Sequence, residues 1–131
     1  MEKAVKREKT FLAIAALLGA LAVSIGAYGA HAGSKFIIDH EFITFIKGIR
    51  YQMFHIGALF VVAYAIHRFP DMLKVLTWAG WMFVAGILLF SFSLYIIVFF
   101  NVDMGYVTPA GGTAFIIGWL LLAYAVLKSK V

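Results

Sequence analysis

The stretch "FLAIAALLGALAVSIGAYGAHA", residues 11–32, is apolar almost throughout, and His31 near its end is its one side chain of a type that can carry charge near neutral pH. A helix needs roughly 20 apolar residues to cross the hydrocarbon core of a bilayer, and this run has that length. The apolar part of a secretory signal is shorter, roughly 7 to 15 residues, so we expect a retained span. The stretch therefore predicts that the chain folds in lipid.

The composition of the whole chain agrees with this prediction. Hydrophobic residues make up 64% of the sequence and charged residues 13%, and the mean hydropathy of +0.99 is far above that of soluble domains. Because there is no cysteine, thiolate metal sites and thiol nucleophiles are excluded. The formal charge of +5 is spread over tails and loops, so it does not indicate a nucleic-acid partner.

Three further apolar runs resemble the first one in length. None alternates apolar and polar residues as the strands of a membrane barrel would, so all four are expected to be helices. The sequence thus predicts an all-α membrane protein, an antiparallel four-helix transmembrane bundle formed by residues 1–131 as one domain. The predicted spans cover residues 11–32, 51–67, 76–100 and 107–127.

The segment "SKFIIDHEFITFIKGIR", residues 34–50, separates the first two spans. A helix here would place its large apolar side chains on one face, so we predict a short interfacial helix at 35–49 on the outer surface. A loop that crosses the mouth of the bundle with the same apolar anchors is the alternative.

The distribution of Lys and Arg predicts the orientation of the chain. Eight of these residues fall in the two tails and the loop between the second and third spans, whereas Lys35, Lys47 and Arg50 fall on the other side. Positive charge favours the cytoplasmic side, so both termini are expected there. Trp78 and Trp81 agree, because they would lie at the inner interface, where tryptophan is enriched.

Small residues form a stripe along the first span, at alternating steps of four and three. Such a stripe lets a neighbouring helix approach closely, and close van der Waals contact drives association in lipid. We expect this face to pack within the monomer, with homo-oligomerisation as the alternative. The stripe comprises Ala15, Gly19, Ala22, Gly26, Gly29 and Gly33.

Polar side chains within the spans are costly and are expected to face the bundle interior. Those of the second span share one helical face, and the proposed topology sets them at the depth of His31. We therefore predict a polar vestibule or a hydrogen-bonded cluster that is open to the outside above an apolar floor. The candidate site residues are Ser24, His31, Tyr51, Gln52, His55, Ser93 and Thr108.

These side chains allow two roles, and the sequence leaves both open. Neutral His and Gln can hydrogen-bond helices together, while Ser91, Ser93 and Thr113 are expected to bond to carbonyls of their own helices. Thr108 is expected to cap the fourth helix, with Pro109 at its first position. The alternative is a small-molecule, metal or haem site centred on His31 and His55, although a metal would require further ligands.

The sequence also contains four motifs, "GALAVSIGAYGAHAG", "YQMFHIGALF", "AGWMFVAGILLFSFSLY" and "TPAGGTAFIIGWLLLA". Together they closely resemble the family called domain of unknown function 423. The resemblance implies a four-helix integral membrane protein of bacterial membranes with no established activity. Its motif positions are Gly26, Gly29, His31, Tyr51, Gln52, His55, Ser93, Leu94, Tyr95, Thr108, Pro109, Gly111, Gly112 and Trp119.

No nucleophile with a base and no intramembrane pair of carboxylates is present, so catalysis has little support. The sequence predicts a non-enzymatic bundle that is structural or binds lipid or a membrane-protein partner, with no cofactor expected. We expect it in the bacterial plasma membrane.

Overall fold

The computed structural model describes residues 1–31, 37 and 39–131, with the side chains of residues 39 and 40 excepted. Every regular element in these ranges is helical, which confirms the predicted all-α fold. A 3₁₀ turn and a π-helical turn join α3 to its neighbours, so that Pro70–Phe100 forms one continuous span. The helices are α1 (Glu2–Ala30), α2 (Asp39–Arg68), α3 (Leu73–Gly86), α4 (Phe92–Phe100) and α5 (Val107–Lys128), with the 3₁₀ turn at Pro70–Met72 and the π-helical turn at Ile87–Ser91.

Within the described part of the chain, four helical segments are long and apolar enough to cross a membrane, as predicted. α1 extends beyond its apolar run, because the charged leader is helical from Glu2 onward. Lys, Arg, Glu and Ala are good helix formers, and neither Gly nor Pro interrupts the leader. The first helix therefore carries its basic residues beyond the apolar segment.

α2 runs without a break from Asp39 to Arg68. Residues 39–49 therefore do not form the separate interfacial helix predicted over 35–49. They form the first turns of the second span. No proline interrupts this helix. Phe45 on its apolar face is 2% exposed and lies against Gly29 of α1, so this side chain packs on protein rather than on lipid.

Contacts between neighbouring helices show that they run in opposite directions. Glu8 near the start of α1 lies 3.6 Å from His67 near the end of α2. Ser129, just after α5, donates to Asp71, just before α3. Both chain termini and the α2–α3 connection thus lie at one end of the bundle, the terminal end. The C-terminal ends of α1 and α4 lie at the opposite end, the loop end.

Aromatic rings fill the spaces that glycines leave between helices. Phe11 lies on Gly80, Phe45 on Gly29, Phe83 on Gly118 and Phe115 on Gly86, and a Cβ on any of these glycines would overlap the ring. All four rings are at most 3% exposed. Burial of such large side chains contributes dispersion contacts, which are a main source of helix association in lipid.

The predicted stripe of α1 faces the interior at several positions. Ala15, Ala22 and Gly29 are buried, whereas a Cβ built on Gly19 would meet nothing within 4 Å. A Cβ on Gly26 would touch only Ile49, at 4.0 Å. Gly33 lies outside the described residues. At Gly29 the small residue accommodates a ring rather than the backbone of a neighbouring helix.

Candidate functional site

Gln52 lies in the middle of α2 and is completely buried. Its Nε2 donates to the Leu18 carbonyl of α1 at 3.0 Å, and its Oε1 accepts a hydrogen bond from the Tyr95 hydroxyl of α4 at 2.6 Å. One amide therefore joins three helices. An unpaired amide in this environment would be costly, so each bond stabilises the arrangement of the helices that it links.

His55 lies one turn further along α2 and is 3% exposed. Its Nε2 accepts a hydrogen bond from the Trp119 indole N–H of α5 at 3.0 Å, and its Nδ1 lies 2.8 Å from the Tyr51 carbonyl. Because an indole can only donate and a carbonyl can only accept, these partners assign a neutral imidazole with its proton on Nδ1. The ring also stacks on Phe115, with centroids 3.6 Å apart. Both ring nitrogens are thus engaged within the protein.

Ser93 and Thr108 form a third contact, between α4 and α5. The Ser93 hydroxyl donates to the Phe90 carbonyl at 2.8 Å, so Thr108 is the donor in the 2.6 Å bond between the two hydroxyls. The predicted capping role of Thr108 is wrong, because α5 begins at Val107 and has no side-chain cap. The predicted bonds of Ser93 and Thr113 to their own helices are confirmed. The same prediction for Ser91 is wrong, because its Oγ has no hydrogen-bond partner among the described residues.

The buried polar side chains Gln52, His55, Ser91 and Ser93 form a polar centre. The structure does not bring His31 to this polar centre. Gln52 bonds to the carbonyl of Leu18, and His31 lies about 20 Å further along α1 at ~1.5 Å per residue. The sequence prediction set His31 and Gln52 at one depth because it started the second span at residue 51. In the structure α2 begins twelve residues earlier, at Asp39. Ser24 is exposed and donates to the carbonyl of Ala20. The prediction that His31 and Gln52 share one depth is therefore wrong.

The polar centre is closed, so the prediction of an open vestibule is also wrong. Gln52, His55, Ser91 and Ser93 are each at most 3% exposed. On the side of the loop end, Phe45 packs on Tyr95 and on Phe99, and these rings cover the amide. Ser91 Oγ is buried without a hydrogen-bond partner in the part of the chain that is described.

A groove of about 680 Å³ borders this centre between α2 and α5. His55 lines this groove, and so do the polar or charged residues Arg50, Tyr51 and Thr113. Tyr51 is 41% exposed, so its contribution to the centre is its carbonyl oxygen and the face of its ring. The walls consist mainly of aromatic and aliphatic groups, which suit a hydrocarbon ligand better than a polar metabolite.

Two further partners escaped prediction as site residues, namely Tyr95 and Trp119. A signal was present, because an indole N–H or a phenol within a span needs an acceptor when it is buried. The sequence does not show which acceptor the Tyr95 hydroxyl or the Trp119 indole N–H binds. That choice depends on how the helices are aligned.

These features define the protein as a small four-helix integral membrane protein with a closed, internally hydrogen-bonded polar centre. Residues 25–112 match the family described as "Protein of unknown function (DUF423)", and the chain belongs to that family. The resemblance noted from the motifs is thereby confirmed.

Relatives extend the similarity to nearly the full chain. It is similar to the UPF0382 membrane protein YwdK of Bacillus subtilis, with 40% identity over 92% of this chain and 98% of that protein. A UPF0382 membrane protein of Haemophilus influenzae is 42% identical over 92% of this chain and 95% of its own length. The UPF0382 membrane protein SAB0533 of Staphylococcus aureus is 40% identical, with 92% and 97% covered. No solved structure matches.

Proposed function

We propose that the protein acts without catalysis, as a helix bundle whose polar centre fixes the arrangement of its spans and whose surface binds lipid or a membrane-protein partner. One observation carries this proposal. The amide of Gln52 and both ring nitrogens of His55 are used by groups of the bundle itself. Such groups act as structural contacts, because binding a ligand would first require breaking them.

The alternative, a small-molecule, metal or haem site centred on His31 and His55, has weaker support. The lone pair of His55 that could bind a metal accepts the Trp119 hydrogen bond, and the other nitrogen carries the proton. His31 lies at a different level of the bundle. Among the described residues there is no group of three His, Cys, Asp or Glu close enough to hold a metal ion.

The test compares purified wild-type protein with H31A and H55A variants. We expect no haem absorption band and no stoichiometric metal in any of them. The H55A variant should unfold at a lower temperature, because it leaves the buried Trp119 N–H without its acceptor, and H31A serves as the control outside the polar centre. Haem or metal that is present in the wild type and lost in either variant would contradict the proposal.

We also propose that the protein lies in the bacterial plasma membrane with both termini in the cytoplasm. The support is the asymmetry of basic residues, of which the larger share belongs to the tails and to the α2–α3 connection. These segments lie together at the terminal end, where Asp71 accepts hydrogen bonds from Ser129 and from the backbone of Lys130.

A further inference from the structure

A second groove, of about 630 Å³, lies at the terminal end between the first turns of α1 and α3. Lys3 and Arg7 line it from α1, and Lys74 lines it from α3. The groove is also lined by Thr77, Trp78 and Trp81 of α3. Two helices thus direct three cationic side chains to one groove.

Among the described residues, no carboxylate lines the groove to balance these three charges. Of the acids nearby in the chain, Glu8 lies beside His67, and Asp71 accepts hydrogen bonds from Ser129 and Lys130. Glu2 is exposed and does not line the groove. Like charges held close together repel one another, and a bound anion removes that repulsion. Phosphate oxygens suit this set, because Lys and Arg both donate to them strongly.

The rest of the groove wall is largely aromatic, because Trp78 and Trp81 line it beside Leu73 and Thr77. Trp78 is 56% exposed and Trp81 is 38% exposed, and the Trp81 ring packs edge-on against Phe11. Tryptophan is enriched at the level of lipid headgroups, where its apolar ring meets hydrocarbon and its N–H meets water. An occupant should therefore have an anionic head and an apolar body.

We infer that this groove binds an anionic phospholipid of the leaflet at the terminal end, with its phosphate at Lys3, Arg7 and Lys74 and an acyl chain along Trp81. A net negative lipid fits better than a zwitterionic one, because the groove offers three positive charges and no negative one. The inference deepens the lipid-binding part of the proposed function. It does not depend on the polar centre. The role of the polar centre is tested by the unfolding temperature in the absence of added lipid, whereas the groove is tested by lipid binding.

The chain offers a matched control for general charge attraction. Lys6 and Lys9 are exposed on the same helix, α1, but do not line the groove. The double variant R7Q/K74Q and the control K6Q/K9Q each lose two positive charges near the terminal end. A difference between them reports the groove rather than the net charge of the protein.

The experiment measures binding of phosphatidylglycerol, phosphatidylcholine and inorganic phosphate to the detergent-solubilised full chain by native mass spectrometry, with unfolding midpoints recorded in parallel. We expect the wild type and K6Q/K9Q to prefer phosphatidylglycerol. R7Q/K74Q should bind it roughly 10- to 30-fold more weakly while keeping its midpoint in the absence of lipid. If R7Q/K74Q does not fold, the preference of the wild type and the single variant K74Q still test the inference.

Three results would overturn the inference. Equal weakening in both double variants would show diffuse attraction by the basic end. Equal affinity of the wild type for the two lipids would remove the preference for negative charge. Binding of inorganic phosphate as strongly as phosphatidylglycerol would make the occupant a free anion rather than a lipid.

Discussion

At the residue scale, Gln52 shows how one polar side chain can specify the arrangement of helices in lipid. Its donor and its acceptor contact two different helices, α1 at Leu18 and α4 at Tyr95. Apolar contacts in lipid are not directional, whereas these two bonds are satisfied in one relative position of the helices. The amide therefore contributes specificity as well as stability.

Replacement of Gln52 by Leu should lower the free energy of unfolding by about 1–2 kcal/mol. The variant removes both bonds and leaves the Tyr95 hydroxyl buried without its acceptor. Thermal unfolding of the purified protein in a fixed detergent measures the effect.

The variant Y95F provides the control for this pair. It removes one bond and leaves Gln52 Oε1 without its donor, whereas Q52L removes two bonds, so Y95F should cost less than Q52L. The double variant should cost less than the sum of the two. Strict additivity in this cycle, or an unfolding midpoint of Q52L equal to that of the wild type, would contradict the coupling.

At the element scale, α5 meets the third span most closely where that span is π-helical. A Cβ on Gly111 would lie 2.7 Å from the Leu89 carbonyl carbon and 2.8 Å from the Phe90 Cα. These are backbone atoms of the Ile87–Ser91 turn, so they cannot move aside as the end of a side chain can. Gly111 is thus a true point of backbone approach, unlike Gly29, which meets a ring.

Replacement of Gly111 by Ala should therefore destabilise the protein by about 1–3 kcal/mol through overpacking. The neighbouring Gly112 gives a matched control, since its Cβ would meet only a Phe90 ring atom at 3.8 Å, an ordinary contact. There Ala should be neutral or stabilising, because it favours helix by up to roughly 1 kcal/mol over Gly.

Comparison of the unfolding midpoints of G111A and G112A measures this difference. The two substitutions are chemically identical and adjacent, so differences in expression or detergent affect them alike. Equal midpoints for the two variants would show that α5 does not approach the π-helical turn as closely as described.

At the scale of the whole molecule, the terminal end gathers both tails and most of the basic residues. Asp71 connects the α2–α3 turn to the end of α5 through its bonds to Ser129 and Lys130. The opposite loop end contains Val102 in the connection between α4 and α5. These two ends should therefore lie on different sides of the membrane.

The chain contains no cysteine, which makes this prediction direct to test. In intact cells a membrane-impermeant maleimide should label the variant V102C, whereas K130C should be labelled only after the membrane is permeabilised. Val102 is 48% exposed and Lys130 is exposed, so both thiols would be accessible to reagent. The reverse pattern of labelling would overturn the proposed orientation.

The sequence predicted much of the molecule at this scale. Runs such as residues 11–32 specify a membrane span by length and polarity alone, because the cost of exposing polar groups to lipid depends on composition rather than on partners. Gln52 and His55 were likewise predicted to face the interior, since a strongly polar side chain in a span avoids lipid. The family follows from motifs along the same runs.

Length and polarity along the chain are thus enough to specify the lipid environment, the four helices and the burial of these polar side chains. The hydrogen-bond partners of these side chains and their depth in the bundle follow only from the packing of the helices. The long α2 sets Gln52 beside Leu18 and Tyr95, far from His31, and it turns an expected vestibule into a closed centre. The alignment of packed helices requires many ring–glycine contacts and hydrogen bonds to be satisfied at the same time, and a local sequence pattern does not specify these contacts between distant segments.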